Sequence, residues 1–539
     1  MADIKPSTSF SNNVSSITVF KERENSLGDY NYMSEELIQE KFSEKSPLIN
    51  KMDSLKIGMS QQVLVENEQS HNKKWTQYLA ALIATIGGFI AGTTLGWTSP
   101  TGELLKNGQY PFTVTEDDLS WIGSCMPLGA MFGCLLTGWL VDKLGRKNMM
   151  LLLVVPCLIG WAMIIWAESV LSMCLGRVLT GFASGAYSII VPLYTSEIAE
   201  KEIRGTLGTY FQLQIVTGIL FTYVAGKYLD VFGLSIACAV FPIVYACLII
   251  LIPETPVFHL MKGNVEKARS SLRYFRGPYG LVDQELSEMH DSLEKTERER
   301  ISIVKAFQTT PAKRGLFIGL GVMLLQQFSG CNAVIFYATN IFTAAGSNMK
   351  ASTSTIIVGV MSVVATYIST LVVDKLGRKI LLLSSALVMG ICTALIGVFF
   401  YLQNSNYDVT SIGFIPLISL CIFIILFSFG FGPIPWMLIG EIFPAQIKGT
   451  ACSIACLSNW FFAYLVTKFY SSLVASIYIY NTFWLFTMFS IFGVFFVIFI
   501  VPETKGKSMD EIQEMLGASN DLVHSSTVQV TSINNIQKF

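Results

Sequence analysis

Asp142-Lys143-Leu144-Gly145-Arg146-Lys147 returns unchanged as Asp374-Lys375-Leu376-Gly377-Arg378-Lys379, 232 positions later. Two further pairs keep nearly that offset. Glu197-Ile198 with Ile203-Arg204-Gly205-Thr206 recurs as Glu441-Ile442 with Ile447-Lys448-Gly449-Thr450, and Pro253-Glu254-Thr255 recurs as Pro502-Glu503-Thr504. Three signatures in one order make the chain a duplicated object. When the copies are carried on membrane helices, such a parallel repeat marks a protein of two halves facing a central site.

The carrier of the repeat is apolar. Hydrophobic residues make up 52% of the 539 and charged residues only 14%, against about 25% charged in soluble proteins. A membrane-crossing helix needs about 20 apolar residues. Twelve such blocks occur, near 78–98, 119–141, 149–167, 170–193, 207–227, 232–252, 315–338, 354–373, 380–402, 414–440, 450–474 and 481–501. The expected fold is therefore all-α, with twelve transmembrane helices in two six-helix, pseudo-symmetric halves. The expected organisation is a polar tail over 1–74, a first half over 75–253, a linker with short helices over 254–314, a second half over 315–502 and a polar tail over 503–539. Eleven Lys and Arg lie in the linker from Lys262 to Arg314, whereas the loops on the other side offer only Lys106, Lys227 and Lys350. By the positive-inside rule the linker, both repeats of the six-residue motif and both termini are expected in the cytosol.

Composition also excludes classes. A net charge of −1, without basic clusters interleaved with aromatics, argues against nucleic acid as a partner. All eleven cysteines fall inside apolar blocks, which argues for packing rather than a disulfide framework. No cleaved signal peptide is expected, because the first 74 residues contain no short apolar core followed by small residues. Glu44-Lys-Ser-Pro-Leu48-Ile49 fits a loose acidic dileucine sorting pattern. The blocks hold no nucleophile with a base in plausible spacing, so an enzyme is not expected, nor is a cofactor, a metal or an obligate protein partner.

Inside the blocks there is no Asp or Glu, and His71, His259, His290 and His524 all lie outside them. Arg177 is the one clear intramembrane charge, and Lys468 is placed to snorkel to the interface. Proton-driven carriers use a titrating intramembrane group, and none is present. What the blocks have is amides beside helix breaks. Gln326, Gln327 and Asn332 flank Ser329-Gly330, and Gln212 and Gln214 lie in the fifth block. In an unbroken helix Gln326 and Asn332 would point roughly 240° apart, so unwinding at Ser329-Gly330 is expected to turn them toward one cavity. Gly430-Phe431-Gly432-Pro433-Ile434-Pro435-Trp436 cannot be continuous helix, since two prolines remove donors and crowd preceding carbonyls. Amides both donate and accept, which matches sugar hydroxyls, and Trp436 offers a flat face for the C–H side of a ring. The ligand implied is small, neutral and polyhydroxylated. The alternative is that the amides join helices and Trp436 packs.

Asp142, Arg146, Glu197 and Arg204 are expected to pair with Asp374, Arg378, Glu441 and Lys448 of the other half, forming a cytosolic gate of weak ion pairs. Alternatively these charges only orient loops.

These stretches, together with Arg177, Gly181 and Gly185, Pro192-Leu-Tyr194, and Pro502-Glu503-Thr504-Lys505-Gly506, resemble the sugar-porter family of the major facilitator superfamily from about 78 to 513. The resemblance implies that Gln212, Gln326, Gln327, Asn332, Trp436 and Asn459 touch sugar and that the charges named above form the gate. Within the family, Gly96-Trp97-Thr98-Ser99-Pro100 and Gly430-Phe431-Gly432-Pro433 look most like the insect facilitated trehalose transporters. The chain also departs from the family pattern. Thr94 stands where proton-coupled members have Asp, Thr255 and Val257 replace the usual Ser and Arg, and Ser362 and Ser428 stand near positions where glucose carriers have Asn and Glu. The implied activity is uncoupled transport of a neutral sugar at the plasma membrane, with trehalose ahead of a hexose. A proton symporter and a non-transporting sensor are the competing readings, and an endosomal or lysosomal membrane is the competing location.

Overall fold

The computed structural model describes residues 74–517 apart from 107, 109, 201, 278–281, 299–306, 347–348, 444 and 508. The sorting pattern at Glu44 to Ile49 and nearly all of both polar tails lie outside the described residues.

The first half comprises α1 (Lys74–Gly96), α2 (Thr98–Lys106), α3 (Glu116–Leu144), α4 (Arg146–Leu152), α5 (Val154–Ile165), α6 (Val170–Ile198), α7 (Arg204–Ala225) and α8 (Val231–Ile249). The linker forms α9 (Pro256–Met261), α10 (Val265–Arg276) and α11 (Val282–Arg298). The second half comprises α12 (Thr310–Phe328), α13 (Cys331–Ala345), α14 (Ala351–Leu376), α15 (Arg378–Asn404), α16 (Ile415–Phe429), α17 (Ile434–Ile442) and α18 (Ala445–Phe499), and α19 (Met509–Met515) comes after it.

Eleven of these stretches are long and apolar enough to cross a membrane. The last holds two crossings. Tyr478 breaks it at φ 67°, ψ 157°, and the ring of Phe328 touches Phe462 on one side of that break and Phe489 on the other. Phe462 lies 16 residues before Tyr478 and Phe489 lies 11 after it, yet both meet one ring, so the chain doubles back at Tyr478 and the twelve expected crossings are present.

Pro156 splits the third crossing, where its missing N–H would have bonded Leu152. Gly181 and Gly185 let α6 lie directly on α3, since a Cβ there would stand 2.0 and 2.1 Å from the carbonyl oxygens of Met126 and Ala130. Thr115 caps α3 in a reciprocal capping box with Asp118. One apolar core lies in the first half around Trp97, Trp161 and Tyr187; the other centres on Phe336, Phe399 and Phe423 of the second half and takes in Leu95, Met126 and Ile219 of the first.

Candidate functional site

Both expected breaks are present, and they hold each other. α12 ends at Phe328, Gly330 takes the left-handed conformation (φ 91°), and the helix restarts at Cys331. A side chain at Gly330 would suffer twice, from the positive φ and from the Phe486 ring 2.7 Å from the Cβ position. The second break lies between Phe429 and Ile434, which frees the carbonyls of Phe431 and Gly432. Gln326 Nε2 donates to both, at 2.5 and 3.2 Å. Leaving such carbonyls unpaired in a membrane interior would cost about 1–3 kcal/mol each, so the amide of one broken helix stabilises the other.

The remaining amides close a network around Gln326. Asn459 Nδ2 donates to Gln326 Oε1 (2.5 Å), Gln327 Nε2 donates to Asn459 Oδ1 (3.1 Å), and Asn332 Nδ2 donates to Gln327 Oε1 (2.6 Å). All four residues are buried, and all belong to the second half. Trp436 is 37% exposed beside the second break. Gln212 is half-buried on α7 of the first half. No hydrogen bond joins Gln212 or Trp436 to the network among the described residues. The structure thus gathers four of the six expected ligand-binding residues and leaves Gln212 and Trp436 apart.

The charges expected at the gate pair within their own halves in this structure. Arg146 pairs with Glu197 (2.8 Å) and with Asp142 (3.3 Å), and Arg378 pairs with Glu441 (2.8 Å). Each of these pairs lies inside one half, not between halves. The reason is geometric. Arg146 opens α4, which packs on α6, and Arg378 opens α15, which meets α17, so each arginine finds the carboxylate of its own copy first. Arg204 donates to Ala199 O at 3.4 Å, and Lys448 lies exposed near Gly440. At Gly205, Gly208 and Gly449, on this linker side, a Cβ would meet nothing within 4 Å. The halves leave these three positions uncovered.

They meet at the opposite side and the centre. Lys468 Nζ pairs with Asp117 (2.9 Å) and sits 3.9 Å from the Trp121 ring centroid, while Ser120 Oγ donates to Lys468 O (2.6 Å). Lys468 was expected to snorkel to the outer interface; its partner there is the exposed Asp117, so it also bridges the halves. Ser99 bonds Thr339 (3.0 Å), Thr343 donates to Glu103, Lys227 donates to Thr353 (3.3 Å) and Tyr223 donates to Ile335 O (2.8 Å), all across the same seam. Sequence inspection missed this seam because its members are ordinary Ser, Thr and loop carboxylates. The one signal was a lysine late in an apolar block.

Arg177 is fully buried. Its donors reach Thr94 O (2.7 Å), Thr98 Oγ1 (2.9 Å) and Ile122 O (3.2 Å), and its guanidinium lies 5.2 Å from the Trp97 ring. Each of these bonds ends on a neutral oxygen.

Two six-helix halves that meet across a polar seam, the second carrying a broken-helix amide cluster, are the arrangement of the major facilitator fold. The chain belongs to the Sugar (and other) transporter family, whose profile matches residues 65–516. It is 39% identical over 462 residues to "Facilitated trehalose transporter Tret1" of Bombyx mori, which covers 85% of this chain and 90% of the relative. The identity to the Aedes aegypti protein of the same name is 40% over 467 residues, covering 85% of this chain and 57% of the relative. The chain thus spans a little over half of that mosquito protein. Among solved structures it is similar to the proton:xylose symporter XylE bound to 6-bromo-6-deoxy-D-glucose, with a TM-score of 0.69, 27% identity, and 82% and 99% of the two chains covered. The inward-open conformation of XylE from E. coli shares the fold at a TM-score of 0.69 and 24% identity, over 81% and 99% of the two chains.

Proposed function

We propose that this protein carries a neutral sugar, trehalose ahead of a hexose, down its gradient by alternating access at the plasma membrane, with the linker and both termini in the cytosol. The observation that carries the reading is the buried network of Gln326, Gln327, Asn332 and Asn459, tied through Gln326 to the helix break that precedes Trp436. Its amides bond one another and the carbonyls of the second break. A sugar entering between the halves exchanges those bonds for bonds to its hydroxyls, while one ring face lies on Trp436 and Gln212 closes from the other half. The similarity to insect trehalose carriers supports the disaccharide, and so do Ser362 and Ser428, whose small side chains leave room for a second ring.

Uncoupled transport is supported by Arg177, whose described partners are neutral and where Thr94 offers a carbonyl rather than a titrating carboxylate. In this reading Asp142, Arg146, Glu197, Arg204, Asp374, Arg378, Glu441 and Lys448 form the cytosolic gate. They come together across the halves only when the linker side closes.

Counterflow of labelled trehalose and labelled glucose in proteoliposomes tests the reading. Trehalose should saturate and exchange, and a proton ionophore should leave its uptake unchanged. Glucose saturating while trehalose neither enters nor competes would make the protein a hexose facilitator. Ionophore-sensitive accumulation would make it a symporter.

A further inference from the structure

Helix α3 of the first half packs against the part of α18 that precedes Tyr478, and the two run in opposite directions. Ser120 donates to Lys468 O, Gly123 faces Thr467, and Gly138, toward the linker, faces Ser453. Within this contact two thiols meet across the halves. Cys134 Sγ lies 3.2 Å from Cys456 Sγ, and the residues are 1% and 2% exposed. Cys134 also donates to Gly185 O (3.3 Å), and Ser188 Oγ stands 3.9 Å from Cys456 Sγ, so α6 holds both sulfurs in place. No second pair of cysteines bridges the halves among the described residues. A disulfide bond is about 2 Å long, so these sulfurs need to approach by only about 1 Å to form one.

We propose that this pair is a redox lock, which a hydroperoxide converts to a disulfide that staples the halves and arrests the carrier. The lock rests on alternating access as read above, because that motion also supplies the chemistry. With the halves together neither sulfur meets solvent. When they separate, water reaches one thiol and it ionises. The thiolate attacks an oxygen of the hydroperoxide, the O–O bond breaks, and the other oxygen leaves with the thiol's proton as an alcohol, or as water from hydrogen peroxide. The product on the protein is a sulfenic acid. Return of the halves brings the second thiol onto the sulfenic sulfur. The S–S bond forms, the S–O bond breaks, and the hydroxyl departs as water with the second proton. The thiols have then lost two electrons, and the peroxide has gained them. Cys134 lies nearer to Asp142, at the linker end of α3, than to Ser120, so the bond holds the linker side together.

The full chain in proteoliposomes is treated with tert-butyl hydroperoxide, its free thiols are alkylated, and it is digested without reductant for mass spectrometry. A peptide joining Cys134 to Cys456 is expected. Counterflow of labelled trehalose and glucose should fall in proportion to the cross-linked fraction and return after dithiothreitol. Cys134→Ser keeps a donor for Gly185 O, and it should transport as the wild type does yet resist the oxidant. Cys456→Ala should behave in the same way and serves if the first variant folds poorly.

Three results would overturn the lock: no joined peptide in protein whose other cysteines are oxidised, a cross-linked protein that transports at the untreated rate, or inhibition that persists in both variants. The joined peptide is read without transport. Untreated protein that carries neither sugar would sink the transport reading, whereas a transporting protein that forms no joined peptide sinks the lock alone.

Discussion

The two copies of Asp-Lys-Leu-Gly-Arg-Lys fold into the same geometry and sit in different environments. In each, the arginine Nε and Nη2 donate to one carboxylate oxygen, at 3.1 and 2.8 Å to Glu197 and at 3.1 and 2.8 Å to Glu441. In each, the final lysine reaches a carbonyl at the end of the half, Ile250 O at 2.9 Å or Ile498 O at 2.8 Å. In each, a glycine at φ 93° or 91° turns the chain. The burial differs. Side chains of Arg146 and Glu197 are 4% and 10% exposed, those of Arg378 and Glu441 are 11% and 28% exposed. The cause is the segment that leaves the end of each half. Behind the first copy α9 brings Phe258 to 5.7 Å from Arg146 and Met261 Sδ to 3.8 Å. Behind the second, Thr504 donates to Glu441 (2.5 Å), whereas in the first copy the Thr255 hydroxyl caps α9 and Glu197 Oε2 has no hydrogen-bond partner among the described residues. Local sequence decides the geometry of an ion pair, and the neighbouring chain decides its energy.

The largest expected effect tests that statement directly. Arg146→Ala leaves Glu197 buried and unpaired, which should cost about 3–5 kcal/mol. Arg378→Ala leaves Glu441 with water and the Thr504 hydroxyl, and should cost about 1.5–3 kcal/mol, the range for a hydrogen bond to a charged group. Thermal unfolding of the purified variants in detergent compares them. Equal losses would mean that the covering helix contributes nothing.

Phe258→Ala sharpens the same point. Removing the ring should cost about 1–2 kcal/mol, from lost packing and the cation–π contact. In that background Arg146→Ala should cost no more than Arg378→Ala does, because the pair is then open to water. An unchanged cost for Arg146→Ala in the double variant would assign the burial to α3 and α6 instead of α9.

The pair across the seam makes a third contrast. Asp117 is 71% exposed, so Lys468→Gln should change unfolding by no more than about 1 kcal/mol. The same amount, applied to the balance of open states, shifts their ratio about fivefold. Labelling of a single cysteine introduced on the side away from the linker should rise accordingly. Loss of stability without a change in labelling would place Lys468 among the packing residues.

Much of this was legible in the chain. The repeat, the twelve crossings and both helix breaks arise from residues whose conformational limits are strong, namely Gly330, Pro433 and Pro435, and from runs of apolar residues long enough to cross a bilayer. Gln326, Gln327 and Asn332 were legible as a group because they flank one break. Pairing was not legible. Nothing local distinguishes Glu197 from Glu441 as the partner of Arg146, since the choice depends on which helices lie side by side. The seam through Ser99, Thr339 and Asp117 was illegible for the same reason, as its residues are common and its contacts span more than two hundred positions.

The smallest expected effect separates the copies by pH. Glu254 and Glu503 occupy equivalent places, each accepting backbone N–H groups from the helix after the motif. Burial pushes the Glu254 carboxyl above its ordinary 4.5, more than the N–H groups of Thr255 and Lys147 lower it. At Glu503 burial also raises it, but the N–H groups of Lys505, Arg378 and Lys379 outweigh burial and hold it below 4.5. A raised carboxyl contributes stability that is present below pH 4.5 and lost as pH rises through its folded value. A lowered carboxyl contributes stability that is present above pH 4.5 and lost as pH falls through its folded value. Glu254 therefore acts above 4.5 and Glu503 below it. Glu254→Gln should remove a gain in melting temperature that the wild type shows on acidification toward 4.5. Glu503→Gln should lower the melting temperature at neutral pH and remove a loss that the wild type shows below 4.5. Melting curves of the three proteins between pH 3.5 and 7 read both windows. The same sign of change in the two variants would mean that the two copies share one environment after all, and the contrast between Arg146 and Arg378 would fail with it.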